Sequence, residues 1–191
     1  YQPQLELRSC RSRGIEALAR WDQRRLGTLS PGDFLPVAEQ SDAIVAIDDY
    51  VLTRACADAA RWSDTGFPEL RVAVNLSVRS LEDHRLIERV TEFRTRFGLS
   101  TSQLEVEVTE TAAVRHAERV ADALGRFREA GVLVALDDFG TGYSMLERLR
   151  TLPFDALKID RSFVAALRMD TGPQLLLAAI ALGHALGMRV I

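Results

Sequence analysis

Of 191 residues, 47% are hydrophobic and 27% charged, the balance of one soluble globular domain with a sizeable core. A formal net charge of -3 and no basic block exclude a protein that tracks nucleic acid through its phosphates. The longest apolar run, Leu175 to Leu182, is too short to span a bilayer, and no signal peptide opens the chain.

The first strand candidate, Gln4–Arg8, is separated from the second, Gly14–Arg20, by only a few turn-like residues. That gap is too short for a parallel crossover, so this pair is expected to be antiparallel. Ser30-Pro31-Gly32-Asp33 reads as a helix N-cap, a proline at the first helical position and an acid at the third. Val45, Leu52, Ala55 and Ala59 suit one helical face ahead of a strand at Arg71–Ser77. Leu86, Val90, Phe93 and Phe97 form the next such face, before a strand at Gln103–Glu110. Val114, Ala117, Val120, Ala121, Leu124 and Phe127 form another, before a strand at Val132–Asp138. Strands at Ala156–Asp160 and Met188–Ile191 flank a last helix from about Pro173 to Leu186, with Gly187 as its stop. Strand–helix alternation predicts an α/β protein with parallel strands. Closing these strands into a barrel requires at least one more strand and helix after Ile191.

Parity along the strands carries the functional signal, because successive side chains point to opposite faces. Glu16, Leu18 and Arg20 share one face, opposite Ile15, Ala17 and Ala19. Asn75 and Ser77 oppose Val74 and Leu76, and Glu105 and Glu107 oppose Val106 and Val108. Lys158 and Asp160 oppose Leu157 and Ile159. Helices must cover the apolar faces, so the polar faces point inward, toward strand C-termini where α/β proteins place their chemistry. Ordinary alternation in a solvent-facing antiparallel sheet is the competing explanation, and the helical crossovers argue against it.

One strand ends in Asp137-Asp138-Phe139-Gly140-Thr141-Gly142, two adjacent carboxylates before a glycine turn. Such a pair suits one metal bridged by one carboxylate and a second held by its neighbour. Asp-Phe-Gly also occurs in protein kinases, but this chain has neither their glycine-rich loop nor their catalytic loop. The candidate ligands Glu16, Asn75, Glu107, Asp137 and Asp138 all offer oxygen, which suits magnesium, manganese or calcium and not zinc. The histidines, His84, His116 and His184, fall on predicted helices and are set aside as ligands. Cys10 and Cys56 lack metal-ligand spacing and point to reduced thiols in the cytoplasm. Lys158 can hold a water or stabilise developing negative charge, or it can partner an inward acid such as Asp137 or Asp160. Arg20 can grip a phosphate in a bidentate way or form a salt bridge at the barrel mouth.

These motifs together resemble the EAL-domain family, bacterial cyclic di-GMP phosphodiesterases. The naming motif stands at Glu16-Ala17-Leu18, followed by Ala19-Arg20-Trp21. Asn75-Leu76-Ser77, Glu107-Val108-Thr109-Glu110 and Lys158-Ile159-Asp160 match further family motifs. The long signature stands at Asp137-Asp138-Phe139-Gly140-Thr141-Gly142-Tyr143-Ser144. The resemblance covers essentially the whole chain and implies a modified TIM (β/α)8 barrel with an antiparallel first strand. It implies that Glu16, Asn75, Glu107 and Asp137 bind a first Mg2+ or Mn2+ and that Asp137 and Asp138 share a second. It gives Lys158 the orientation of the attacking water, with Lys158, Asp138 and Glu16 as the catalytic set. It further implies that Leu18 and Arg20 contact the dinucleotide and that Glu110 anchors the loop from Phe139 to Ser144. The expected product is linear pGpG, the expected partner a second copy in a homodimer and the expected compartment cytoplasmic, with no nucleic-acid polymer or membrane contact expected. The family often carries an attached sensory or cyclase domain.

The family places a helix before a segment like Tyr1-Gln2-Pro3, and a further metal-binding glutamate and a glutamine after one like Arg189-Val190-Ile191. Residues 1–191 are therefore expected to be an EAL-like domain without its N-terminal helix and without its C-terminal strand and helix. The alternatives to an active phosphodiesterase are a receptor that binds cyclic di-GMP without cutting it and a protein-interaction module.

Overall fold

In the computed structural model, residues 1–141, 146–169 and 171–191 are described, and the chain forms two compact units, Tyr1–Val106 and Glu107–Ile191. In the first unit, β1 (Gln2–Leu5) runs antiparallel to β2 (Ser12–Ala17), with Gln2 opposite Glu16. The short connection allowed nothing else. Strand β2 ends at Ala17, so Leu18 and Arg20 lie beyond it and not on it.

A small hairpin follows, β3 (Trp21–Gln23) and β4 (Gly27–Leu29). Sequence periodicity misses it because each strand is too short to show alternation. The Gln23 side chain accepts from the N–H groups of Arg25 and Leu26 at 2.6 and 2.7 Å, and Gly27 takes φ +77°. Helix α1 (Pro31–Ala38) starts as its sequence predicts, with the Asp33 carboxylate accepting from the Ser30 N–H at 2.8 Å.

Helix α2 (Ala43–Asp64) buries Ile44, Asp48, Leu52, Ala55, Cys56 and Ala59, so its inward stripe begins at Ile44 and not at Val45. Burial pushes the Cys56 thiol up to about 12. Tyr1 is tied to this helix: its hydroxyl donates to Asp58 at 2.6 Å and its ring meets Trp62 edge-on. Strand β5 (Arg71–Asn75) pairs parallel with β2, placing Glu16 opposite Ala73 and Ala17 opposite Val74. Helices α3 (Val78–Leu81) and α4 (Leu86–Arg96) follow, the second burying Leu86 and Val90. Strand β6 (Leu104–Thr109) carries the chain from the first unit into the second.

The second unit opens with α5 (Glu110–Arg115) and α6 (Ala117–Glu129), two helices where periodicity suggests one. The break is His116, at φ -122° and ψ 41°, and beyond it Ala123 is buried in the place expected for Ala121. Then come β7 (Leu133–Phe139), α7 (Leu146–Leu149), β8 (Ala156–Ile159), α8 (Arg161–Ala165), α9 (Gly172–Ala185) and β9 (Arg189–Val190). Strands β7, β8 and β9 pair in parallel in that order. Among the described residues no helix is long and apolar enough to cross a membrane. His184 lies in α9, but His84 and His116 lie in turns, contrary to the helices expected for them.

Candidate active site

Within each unit, the predicted site residues lie at or just beyond the C-terminal ends of strands. In the first unit, Glu16 sits one residue before the end of β2 and Asn75 on the last residue of β5. The Asn75 carboxamide N–H donates to Glu16 Oε1 at 2.9 Å. That bond orients the planar carboxamide, so its oxygen, the atom a cation would use, has a set direction. Arg20 is exposed, and its guanidinium donates to its own neighbour's carbonyl, Ala19 O, at 2.7 Å. Leu18 is half-buried.

The exit of β5 is fixed from below by a residue that sequence reading did not single out. Asp48 of α2 is only 7% exposed and accepts from Ser77 N–H at 2.9 Å, Ser77 Oγ at 2.6 Å and Ser80 Oγ at 2.6 Å. Burial pushes its carboxyl up from the ordinary carboxylate value, and the serine hydrogen bonds offset only part of that. The signal was legible: Asp48 lies four residues after Ile44 and four before Leu52, an acid in the middle of an apolar stripe.

In the second unit, Glu107 on β6 is 1% exposed and Lys158 on β8 is 9% exposed. The Lys158 ammonium donates to Glu107 Oε2 at 2.5 Å and lies 3.1 Å from Asp137 Oδ2 on β7. Asp137 is thus one of the lysine's acids, and Glu107 stands where Asp160 was the other candidate. Asp160 instead caps α8, accepting from Ser162 N–H at 2.9 Å, and hydrogen bonding from the Ser162 side chain, with the backbone bond second, holds its carboxyl below the usual range.

The paired aspartates sit on an irregularity. Between Leu136 and Phe139 the register of β7 against β8 slips, and Asp138 takes φ +56°. An extra residue of this kind breaks strict alternation, so adjacent carboxylates are released from pointing to opposite faces. The Asp138 carbonyl accepts from Thr141 Oγ1 at 2.9 Å, and the Asp138 N–H donates to Asp137 Oδ1 at 2.9 Å. Glu110, buried at the start of α5, accepts from Gly140 N–H at 2.7 Å. Gly142, Tyr143 and Ser144, the end of the long signature, lie outside the described residues.

The chemistry of the donor set fits a hard divalent cation. Every candidate ligand presents carboxylate or carboxamide oxygen, and in the second unit two of the acids already share one positive charge, the Lys158 ammonium.

A family model described as the EAL domain matches residues 1–191. A cyclic di-GMP phosphodiesterase of Pseudomonas aeruginosa is 40% identical over 192 residues, spanning 100% of this chain and 32% of that protein. MucR of the same organism, named a bifunctional diguanylate cyclase and cyclic di-GMP phosphodiesterase, is 38% identical over 192 residues, covering 100% of this chain and 28% of MucR. This chain therefore spans less than a third of the length of these relatives. A solved structure of the MucR phosphodiesterase in complex with cyclic di-GMP matches with a TM-score of 0.93 at 38% identity, over 100% of this chain and 77% of that one. The EAL enzyme Bd1971, solved with cAMP and cyclic di-GMP, matches with a TM-score of 0.92 at 30% identity, over 100% of this chain and 53% of that one.

Proposed function

Because this chain belongs to the EAL domain family, we propose that it is the hydrolytic part of a cytoplasmic, metal-dependent phosphodiesterase that opens cyclic di-GMP to linear pGpG. The observation that carries this reading is the Lys158 ammonium held between Glu107 and Asp137 at the strand ends. A buried Glu107 and a half-buried Asp137 so arranged need positive charge, and a packing role would be served more cheaply by apolar residues.

In this reading Glu16, Asn75, Glu107 and Asp137 supply oxygens to one divalent cation, and Asp137 and Asp138 share in a second. Bound magnesium or manganese supplies the charge that polarises a phosphoryl oxygen and acidifies water. Lys158 donates a hydrogen bond to the attacking water and offers its charge to the oxygens of the phosphoryl group. Arg20 leaves the Ala19 carbonyl to grip a phosphate, and Leu18 packs against the dinucleotide. The water oxygen joins phosphorus and the bond to a 3′ oxygen breaks. A 3′ hydroxyl and a 5′ phosphate remain. Glu110 holds Gly140, two residues after the paired aspartates. Fusion to an input or cyclase domain belongs to the same proposal and is supported by the much greater length of relatives such as MucR; pairing of two copies is what the family resemblance implies.

The test is chromatographic. Incubated with cyclic di-GMP and manganese or magnesium, the protein should yield pGpG, and chelation with EDTA should stop it. Glu16→Ala and Asp137→Ala should each lower kcat by about 100-fold or more, as lost metal ligands do. Tight cyclic di-GMP binding with no turnover would identify a receptor, and no binding at all would sink both readings.

A further inference from the structure

We propose that Asp48 is a positioning residue for Asn75, holding the end of β5 so that the carboxamide meets its cation in one orientation. This rests on the metal-site reading above and assigns it a residue that no sequence motif contains. Asp48 sits between Ile44 and Leu52 on the buried face of α2, where an ionisable group is costly unless its oxygens are bonded. Three donors from one short segment converge on one of them, Oδ2: Ser77 N–H, Ser77 Oγ and Ser80 Oγ, at 2.9, 2.6 and 2.6 Å. Ser77 is also the N-cap of α3, its hydroxyl accepting from Ser80 N–H at 3.2 Å.

Asn75 lies two residues before Ser77, with buried Leu76 between them. On its other side the backbone is held by the parallel pairing of β5 with β2. The candidate ligand is therefore tethered at both ends, by the sheet and by the Asp48–serine cluster, and its side chain is bonded sideways to Glu16. Helix α3 has four residues, too few to hold its own position. Without Asp48, the turn after Asn75 loses its fixed point.

The experiment compares the native protein with Asp48→Ala, Asp48→Asn and Ser80→Ala. Asp49→Ala is the control, because Asp49 is the neighbouring acid and bonds Arg89 at 2.9 Å instead of the serines. Two quantities are read on folded protein: Mn2+ affinity, from the electron paramagnetic resonance of free Mn2+, and the side-chain 1H–15N signals of Asn75, assigned by their loss in Asn75→Ala. Asp48→Ala should weaken Mn2+ binding by about tenfold or more, the usual effect of removing a partner that orients a ligand. It should also shift or broaden the Asn75 signals. Asp48→Asn, which keeps one acceptor oxygen, should recover part of both, and Asp49→Ala should change neither. A folded Asp48→Ala with native Mn2+ affinity and native Asn75 signals overturns the proposal. Native protein that binds no Mn2+ overturns the metal reading, and the Asn75 signals still decide the role of Asp48. Should Asp48→Ala not fold, Ser80→Ala and Asp48→Asn decide it, since each removes only part of the cluster.

Discussion

Asp138 adopts a backbone conformation that non-glycine residues seldom take, φ +56°, directly beside a candidate metal ligand. Such a conformation persists when its surroundings enforce it, and here they can be named. Thr141 donates to the Asp138 carbonyl, Glu110 takes the Gly140 N–H, and Asp160 N–H donates to Phe139 O at 3.3 Å. Gly140 itself stands at φ +99°, and a Cβ built on it would lie 2.1 Å from Phe163 Cε2. Both the backbone and the ring of Phe163 therefore demand glycine. Gly140→Ala should destabilise the protein by about 2–4 kcal/mol, from the positive φ and from overpacking together, measured by urea unfolding. Adding Phe163→Ala should recover part of the loss, because it removes the clash and leaves the strained φ. Simple additivity of the two changes would mean that the ring does not confine the loop.

Elements here are set by periodicity, and their close approaches by single small residues. The apolar periods located most of the strands and helices, and the parity of Glu16, Asn75, Glu107 and Lys158 was readable because alternation is a local rule. Locality also explains the misses. The β3–β4 hairpin is too short for a period, and His116 breaks a helix whose apolar spacing runs on through it. Gly183 shows what spacing cannot: a Cβ there would come 2.6 Å from Val190 Cγ2 and 3.2 Å from Leu157 Cδ2. Helix α9 thus seats on β8 and β9 through that bare backbone. Gly183→Ala gains helix propensity of about 1 kcal/mol but forces α9 off these strands at a cost of about 1–3 kcal/mol. The net expectation is a lower Tm. A raised Tm would mean that α9 moves outward freely.

At the scale of the whole molecule, cation binding and folding stability are linked. A cation bound only by the folded chain stabilises it by mass action, about 2.7 kcal/mol at a hundred times its dissociation constant. For a chain of this length that is about 5–10 °C in Tm. Manganese should raise Tm by that order in the native protein and leave Glu16→Ala and Asp137→Ala unmoved. A shift that survives both substitutions would place the stabilising ion elsewhere. The sequence by itself determined the α/β class, the antiparallel first pair, the oxygen-rich donor set and, through several ordered motifs, the EAL resemblance that the comparisons bear out. All of these depend on neighbours in the chain or on residue chemistry. Only the tertiary structure decided that Lys158 pairs with Glu107 and Asp137, that Asp160 caps a helix, that β7 bulges at the paired aspartates, and that Asp48 secures the end of β5. Most of those outcomes join residues tens of positions apart, which no local pattern carries, and the cap at Asp160, though local, is separated from a lysine partner only by where Glu107 lies.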